Sequence, residues 1–187
     1  MESGGVSDNK IGMLKKTSNI VLIGMPGSGK STVGIILAKL TRRNFVDTDV
    51  LIQTSQNRSL QDIVDRDGYL TLREIEERVI LKHDCRNCVI ATGGSAVYSQ
   101  AAMEHLKKDG AVVFLKADLS MLEARVSDYS TRGLAKRPDQ SLADLFAERS
   151  ALYTRYADIF VECKGLTHEE VCARIIKELQ AGNRADR

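Results

Sequence analysis

The chain has 187 residues, with 27 lysines and arginines against 25 aspartates and glutamates, which gives a net charge of +2 at pH 7. This length suits one domain that can bury an adequate core without metals or disulfides. So small a charge excess argues against nucleic acid as the main partner. The sequence has neither a run of about 18 apolar residues that could cross a membrane nor an N-terminal stretch typical of a signal peptide. We therefore expect a cytoplasmic protein that binds neither nucleic acid nor membrane.

The two ends of the chain differ from its middle. Residues 1–18 are polar and contain glycine and serine, and residues 182–187 read Gly-Asn-Arg-Ala-Asp-Arg. Such segments bury little apolar surface, so we expect a flexible N-terminal segment and a loose C-terminal tail. The remaining residues, 19–181, are predicted to form a single domain.

Short apolar runs at intervals along the chain predict β-strands. The run Ala-Val-Val-Phe-Leu is continuous, as expected of a strand covered on both faces. In chain order, the predicted strands are residues 20–23, 44–46, 89–92, 111–115 and 159–161. The second strand is expected to continue in an extended conformation through residues 47–49.

Helical periodicity fills the stretches between these strands. Apolar residues recur at i, i+3, i+4 and i+7 from position 33 to position 40, which predicts a helix packed on a sheet. A capped helix is predicted to begin at Ser59 and a longer helix to follow around position 75, with further N-caps at Ser141 and Thr167. Strands alternating with helices predict an α/β fold, a three-layer sandwich with a central, mostly parallel five-stranded sheet.

Residues 24–31 read Gly-Met-Pro-Gly-Ser-Gly-Lys-Ser and fill every required position of the phosphate-binding pattern G-x-x-x-x-G-K-[ST]. Glycines let backbone N–H groups wrap around phosphate oxygens, and the helix that follows adds its partly positive N-terminus. Lys30 is placed to reach the β- and γ-phosphates and Ser31 the Mg²⁺. A plain glycine turn does not explain the Lys-Ser pair at this offset. The predicted nucleotide contacts are Gly24, Gly27, Ser28, Gly29, Lys30, Ser31 and Thr32.

Asp47 and Asp49 follow the second predicted strand. In an extended segment alternate side chains lie on one side, so both carboxylates would face the same cleft. One could then hold the Mg²⁺ shell while the other orients an acceptor hydroxyl and takes its proton. Asp-Thr-Asp is equally an ordinary exit from a strand into a loop.

Two groups of arginines are candidates for binding anions. Arg73 shares a predicted helix face with Glu76 and Glu77, a pattern that also describes a solvated face with i, i+3 and i, i+4 pairs. Six cationic residues between positions 125 and 155 flank or lie in a segment, about 126–140, with little apolar periodicity. This segment is either a mobile cationic lid that closes over phosphates or a polar surface loop. The six residues are Arg125, Arg132, Lys136, Arg137, Arg149 and Arg155.

Cysteines and histidines do not form a convincing metal or redox pattern. Cys85 and Cys88 form a C-x-x-C, but no second close pair accompanies them, so all four cysteines are interpreted as free thiols. The histidines are scattered and are interpreted as solvated helix positions. The remaining cysteines and the histidines are Cys163, Cys172, His83, His105 and His168.

Five motifs, taken in order, resemble the shikimate kinase family, small enzymes similar to nucleoside monophosphate kinases. The resemblance covers about residues 19 to 180. It implies a P-loop NTPase fold with a mobile lid, and transfer of the γ-phosphoryl group of MgATP to a hydroxyl of shikimate. The motifs are residues 24–34, 45–49, 72–77, 93–94 and 148–153.

The resemblance also implies roles for residues on the nucleotide side. Lys30 and Ser31 would handle the phosphates and Mg²⁺, with Asp47 near the metal. Arg132 corresponds to the lid arginine, and Arg125 to the arginine that lies against adenine. ATP and Mg²⁺ are the implied cofactors, and no obligatory protein partner is evident.

On the acceptor side, the resemblance implies that Asp49 holds the acceptor hydroxyls and serves as base. Arg73 and Arg149 would grip the acceptor's carboxylate, because two charge-assisted, potentially bidentate contacts fix its orientation. Gly93 and Gly94 would offer backbone contacts to the ring.

This sequence departs from the family pattern at two places. Ser95 stands where the family usually has a third glycine. It either adopts a positive φ, at a cost of roughly 1 kcal/mol, or forms a new contact that changes which acceptor fits. Residues 131–134 replace the usual Arg-Pro-Leu-Leu of the lid, which makes Arg137 an alternative to Arg132. Two other functions stay open: a kinase for another small hydroxy or amino acid, and a nucleotide-binding module without acceptor turnover.

Overall fold

A computed structural model describes residues 18–125 and 133–184. Its centre is a five-stranded sheet in the order β2-β3-β1-β4-β5, in which every neighbouring pair is parallel. This topology confirms the predicted α/β fold with a central parallel sheet. The strands are β1 (Asn19–Ile23), β2 (Asn44–Asp47), β3 (Cys88–Ala91), β4 (Gly110–Lys116) and β5 (Ile159–Glu162).

Helices cover both faces of the sheet, as a parallel sheet requires. In chain order they are α1 (Lys30–Thr41), α2 (Thr48–Gln56), α3 (Leu60–Lys82), α4 (Gln100–Lys107), α5 (Leu119–Arg125), α6 (Leu142–Tyr156) and α7 (His168–Arg184). A 3₁₀ turn, Ala96–Tyr98, lies between β3 and α4. None of the helices described is both long enough and apolar enough to cross a bilayer.

Two apolar layers hold the helices on the sheet. Alternate residues of β1 point to opposite faces, so Ile20 packs with α1 and α7, whereas Val21 packs with α3, α4 and α6. The central strands β1 and β3 are buried along their length. Removing this apolar surface from water on both sides of the sheet is the main force that brings the strand ends, and the loops after them, to one edge.

The predicted N-caps explain where several helices begin. Ser59 and Ser141 each form a capping box with the aspartate three residues later. The hydroxyl of Thr167 accepts a hydrogen bond from the Glu170 N–H at 3.2 Å. The two helices predicted between positions 59 and 82 are confirmed: they meet at Gly68, whose φ of 87° and ψ of 162° are not helical, so α3 consists of two helical stretches joined by a sharp kink.

Two predictions about local structure are wrong. The extended conformation does not continue beyond Asp47, because the Asp47 side chain accepts the Asp49 N–H at 3.0 Å and α2 begins at Thr48. Cys85 and Cys88 are not free thiols but form a disulfide. They lie in the turn from α3 to β3, which brings their Cα atoms to 6.3 Å, within the range that a disulfide spans. Cys163 and Cys172 are buried.

Candidate active site

A cavity of about 620 Å³ opens at the carboxyl ends of β1 and β3. The loop after β1 forms one wall and the loop after β3 another, and α2, α3 and α6 contribute side chains. Open parallel sheets bind ligands at this edge because all their strand-to-helix loops meet there. His168, interpreted as a solvated helix position, begins α7 and lines the same cavity.

The loop between β1 and α1 has the backbone conformation that its glycines predict. Gly27 and Gly29 adopt φ values of 82° and 96°, which favour residues without a Cβ. Gly29 immediately precedes α1, and its carbonyl accepts the Val33 N–H at 2.9 Å. The hydroxyl of Ser28 is buried and has no hydrogen-bond partner among the residues described. Unpaired polar groups of this kind beside a helix N-terminus suit phosphate oxygens.

Lys30 is the first residue of α1 and is only 8% exposed. Its ammonium group donates to the carbonyl oxygens of Gly24 and Met25 at 2.8 and 2.9 Å. Desolvation lowers the pKa of Lys30 to about 8, although the nearby Asp49 carboxylate opposes this shift. The protein therefore holds a cation near the start of α1 whose charge is easily lost as the pH rises.

This lowered pKa predicts pH-dependent nucleotide binding. Phosphates favour the charged form of Lys30, so above about pH 8 each binding event must take up a proton, and the Kd for MgATP should rise up to about tenfold per pH unit. Isothermal titration calorimetry between pH 7 and 9.5, in buffers of different ionisation enthalpy, measures the Kd for MgATP and the number of protons taken up on binding. Lys30→Met should abolish the proton uptake. A constant Kd over this range would contradict the prediction.

Ser31 and Asp47 form a pair of oxygen ligands near the phosphate loop. The Ser31 hydroxyl donates to the Asp47 carboxylate at 2.6 Å, and Ser31 lines the cavity. Mg²⁺ in nucleotide sites takes one or two protein oxygens and completes its shell with phosphates and water. A hydroxyl next to a carboxylate at this place fits that requirement, so the donor set suits the metal that the sequence predicts here.

Asp49 reaches the cavity from the first turn of α2 rather than from an extended segment. Desolvation raises the pKa of its carboxyl group, whereas the Lys30 ammonium lowers it. A methyl group on Gly93 would come within 2.6 Å of Asp49 Oδ1, so the loop after β3 passes directly against this carboxylate. The Gly93 N–H is already used, because it donates to the Thr48 hydroxyl at 2.8 Å.

Arg73 and Arg149, far apart in sequence, meet at one backbone oxygen. Each donates from Nη2 to the carbonyl of Ala135, at 3.0 and 2.9 Å respectively, and the Nε of each is buried without a hydrogen-bond partner among the residues described. Arg149 lines the cavity, whereas Arg73 lies over the Tyr98 ring, 3.5 Å from its centroid. The structure thus brings together the two arginines that the sequence singled out.

Arg149 is the most unusual charge in this site because it is only 1% exposed. Within the described part of the chain, no carboxylate lies close enough to form an ion pair with it. Burying a cation without a paired anion is costly unless a ligand supplies the anion. The observed arrangement therefore favours an anionic group on the ligand next to Arg149 and Arg73.

Neither glycine in the loop after β3 has room for a side chain. A methyl group on Gly94 would lie 2.8 Å from both Arg149 Nη1 and Pro26 Cδ. The Gly94 carbonyl accepts a hydrogen bond from the Tyr153 hydroxyl at 2.7 Å. Ser95 follows with a φ of −101°, so the alternative of a strained positive φ is excluded and its hydroxyl is free to form a contact.

Glu76 is a cavity residue that the sequence analysis assigned no role. It shares α3 with Arg73, but it is 2% exposed, so the interpretation of this face as solvated is wrong at this position. Its carboxylate accepts a hydrogen bond from the Ser95 hydroxyl. The Arg-x-x-Glu spacing that relates Arg73 to Glu76 was the only signal in the sequence that pointed to it.

The lid residues are described only in part. Arg132 lies outside the described residues, and so does the side chain of Arg125. The alternative lid arginine, Arg137, is described: its Nη1 lies 3.3 Å from the Glu148 carboxylate, which also accepts hydrogen bonds from Tyr98 and Gln140. Arg137 is therefore engaged on the protein's own surface in this structure.

The parallel sheet, the glycine-rich loop at the start of α1 and the cavity beyond the strand ends define a P-loop enzyme of the small-molecule kinase class. The family model for shikimate kinase matches residues 26–180. The chain belongs to the shikimate kinase family. It is 37% identical over 165 residues to shikimate kinase from Thermodesulfovibrio yellowstonii, an alignment that covers 87% of this chain and 95% of that protein.

Solved structures agree with this assignment. Shikimate kinase from Acinetobacter baumannii, in complex with shikimate, superposes with a TM-score of 0.82 and 29% identity over 90% of this chain and 96% of the other. Shikimate kinase from Aquifex aeolicus gives a TM-score of 0.75 and 32% identity over 90% of this chain and 99% of the other. The fold and the family are therefore established by independent comparisons.

Proposed function

We propose that this enzyme transfers the γ-phosphoryl group of ATP to a hydroxyl of shikimate and so forms shikimate 3-phosphate. The observation that carries this proposal is the buried Arg149, which lines the same cavity as the phosphate loop. Arg149 also meets Arg73 at the Ala135 carbonyl. A small acceptor with a carboxylate would satisfy these arginines while its hydroxyls face Asp49. Shikimate is such an acid, and it is the ligand bound in the Acinetobacter baumannii structure.

The proposed mechanism depends mainly on positioning and charge neutralisation. Lys30 binds the β- and γ-phosphates, and the backbone of residues 24–32 surrounds them. Ser31 and Asp47 would hold Mg²⁺, which when bound would neutralise charge on the phosphate oxygens. Asp49 orients the acceptor hydroxyl and takes its proton, since its raised pKa makes it a better base than an ordinary aspartate.

The acceptor's orientation would come from the two arginines that meet at the Ala135 carbonyl. Arg73 and Arg149 bind the carboxylate through the donors that Ala135 leaves unused. Gly94 allows the ring to approach the backbone closely, because no side chain separates it from Arg149. We further propose that residues 19–181 act as one catalytic domain.

The test is ADP release with MgATP in the presence and absence of shikimate, followed by mass detection of the product. We expect shikimate-dependent ADP and a product with the mass of shikimate 3-phosphate. A panel of other hydroxy acids and amino acids serves as control, because Ser95 changes the acceptor side of the cavity. Turnover with another member of this panel but not with shikimate would contradict the proposal, as would nucleotide binding without any acceptor-dependent turnover.

Arg73→Ala should raise the KM for shikimate by about 10- to 100-fold, with little change in kcat, because a charge-assisted hydrogen bond to the carboxylate contributes about 1.5–3 kcal/mol. Steady-state kinetics measures this split between KM and kcat. Arg78→Ala, an exposed position on the same helix, is the matched control. With the neutral carboxamide of shikimate, wild type and Arg73→Ala should differ far less. Unchanged shikimate kinetics in Arg73→Ala would show that the carboxylate is bound elsewhere.

A further inference from the structure

The Glu76 carboxylate is only half satisfied by the protein. Its Oε2 accepts the hydrogen bond from the Ser95 hydroxyl, whereas its Oε1 is buried and has no hydrogen-bond partner among the residues described. Glu76 lines the cavity and is 2% exposed. A buried carboxylate oxygen without a donor is costly, so this atom indicates a place where a ligand supplies a hydroxyl or amide proton.

The unpaired oxygen lies next to the proposed base. A methyl group on Gly93 would overlap Glu76 Oε1 and come within 2.6 Å of Asp49 Oδ1. The two carboxylates, one from α3 and one from α2, therefore converge on the same side of the loop after β3. Ionised carboxylates only accept hydrogen bonds, so an acceptor that presents neighbouring hydroxyl groups is complementary to this pair.

Ser95 is held in place by the turn that it begins. Its carbonyl accepts the Tyr98 N–H at 3.0 Å, and its φ and ψ of −101° and −3° are ordinary for a residue with a side chain. Its side chain is buried, and the hydroxyl donates to Glu76. A glycine at this position would lack that donor, so the contact is specific to chains that carry a hydroxyl here.

We propose that Ser95 is a positioning residue for the acceptor: its hydroxyl holds Oε2 of Glu76, so that Oε1 is presented to an acceptor hydroxyl beside Asp49. This inference rests on the proposed function, because it assumes a polyhydroxylated acceptor. Glu76 contacts the acceptor, whereas Ser95 acts through Glu76.

The charges around Glu76 make this contact sensitive to pH. The pKa of Glu76 is raised to about 7, mainly because burial disfavours its charged form. The Asp49 carboxylate also raises it, whereas the hydrogen bond from Ser95 and the charges of Arg149 and Lys30 lower it. Tyr153, which also interacts with Glu76, has a pKa raised by burial and stays neutral. Removing the Ser95 hydroxyl therefore favours the protonated form of Glu76, which accepts hydrogen bonds less well.

The first test measures the Glu76 carboxyl directly in the free protein. A pH titration followed by the ¹³C chemical shifts of the glutamate side-chain carboxyl groups gives the titration midpoint of Glu76. The Glu76 signal is the one that disappears in Glu76→Gln. In Ser95→Ala the midpoint should rise by about one pH unit. Ser55→Ala, an exposed hydroxyl of α2, is the control and should leave it unchanged. An unchanged midpoint in Ser95→Ala would overturn the proposal.

The second test separates positioning from a structural role. Ser95→Ala should raise the KM for shikimate by about tenfold, leave kcat and the KM for ATP within about twofold, and move the acidic limb of kcat/KM to higher pH. In a Glu76→Ala background, which has no acceptor for the Ser95 hydroxyl, Ser95→Ala should have little further effect. An equal effect in that background, or a parallel rise in the KM for ATP, would overturn the role assigned to Ser95.

The two proposals can fail separately. If the wild-type enzyme does not phosphorylate shikimate, the proposed function fails, and the acceptor part of this inference fails with it. If shikimate turnover is normal but Ser95→Ala changes neither the Glu76 titration nor the KM, only the role of Ser95 is overturned.

Discussion

Lys30→Met should lower kcat by about 10²- to 10³-fold or more while leaving the fold intact. The ammonium group is the cation that lies beside the loop after β1, where we propose that the phosphates bind, and methionine keeps most of the length of the side chain without its charge. Stability should change little, because two opposing effects nearly cancel. The carbonyls of Gly24 and Met25 lose their donor, but the cost of burying an ammonium group disappears as well.

The measurements are acceptor-dependent ADP release and thermal unfolding. Lys39→Met is the matched control, since Lys39 is exposed on the same helix and should be dispensable. We expect the unfolding midpoints of both variants to lie within a few degrees of wild type. If Lys30→Met retained more than about a tenth of wild-type kcat, the assignment of Lys30 to the transferring phosphate would be wrong.

Asp49→Asn should lower kcat/KM for shikimate by about 10²- to 10⁴-fold, the range typical for loss of a general base. Asparagine keeps the shape of the side chain but can neither take a proton nor carry a charge. The backbone N–H of this residue, which donates to Asp47, is unaffected, so the start of α2 is preserved.

Stability gives an independent check on the same variant. The pKa of Asp49 is raised in the folded protein, so folding favours its neutral form, and at pH 8 the ionised carboxylate destabilises the native state. Asp49→Asn should therefore unfold at the same temperature as wild type or higher at pH 8. Asp84→Asn, in an exposed turn, controls for the loss of a charge. A stable Asp49→Asn enzyme with near-normal turnover would exclude Asp49 as the base.

Local sequence patterns predicted the glycine turn after β1 and the helix that begins at Lys30. The pattern around Lys30 depends on residues within one loop and the first turn of one helix, so its chemistry is determined by neighbours in sequence. Continuous apolar runs separated by helical segments likewise predicted a parallel sheet, because a strand buried on both faces must be apolar throughout. The predicted boundaries of all five strands lie within one residue of those observed.

The prediction for Asp47 and Asp49 shows where the local pattern was ambiguous. Alternation in an extended segment would place both carboxylates on one side, but the Asp47 side chain accepts the Asp49 N–H and starts a helix instead. Both arrangements are consistent with Asp-Thr-Asp after a strand, since aspartate is favoured at strand exits and at N-caps alike. Asp49 still reaches the cavity, but from the first turn of α2.

The sequence by itself determined the class of fold and the phosphate loop, because both follow from periodicity and from residues adjacent in the chain. Only the tertiary structure decided that Arg73 and Arg149 meet at Ala135, that Glu76 is buried, and that Ser95 reaches it. These contacts join α3, α6 and the loop after β3, and no local pattern fixes how close such elements come. Packing of the helices on the sheet sets those distances, and it thereby brings Glu76, from a pattern typical of a solvated helix face, into the cavity.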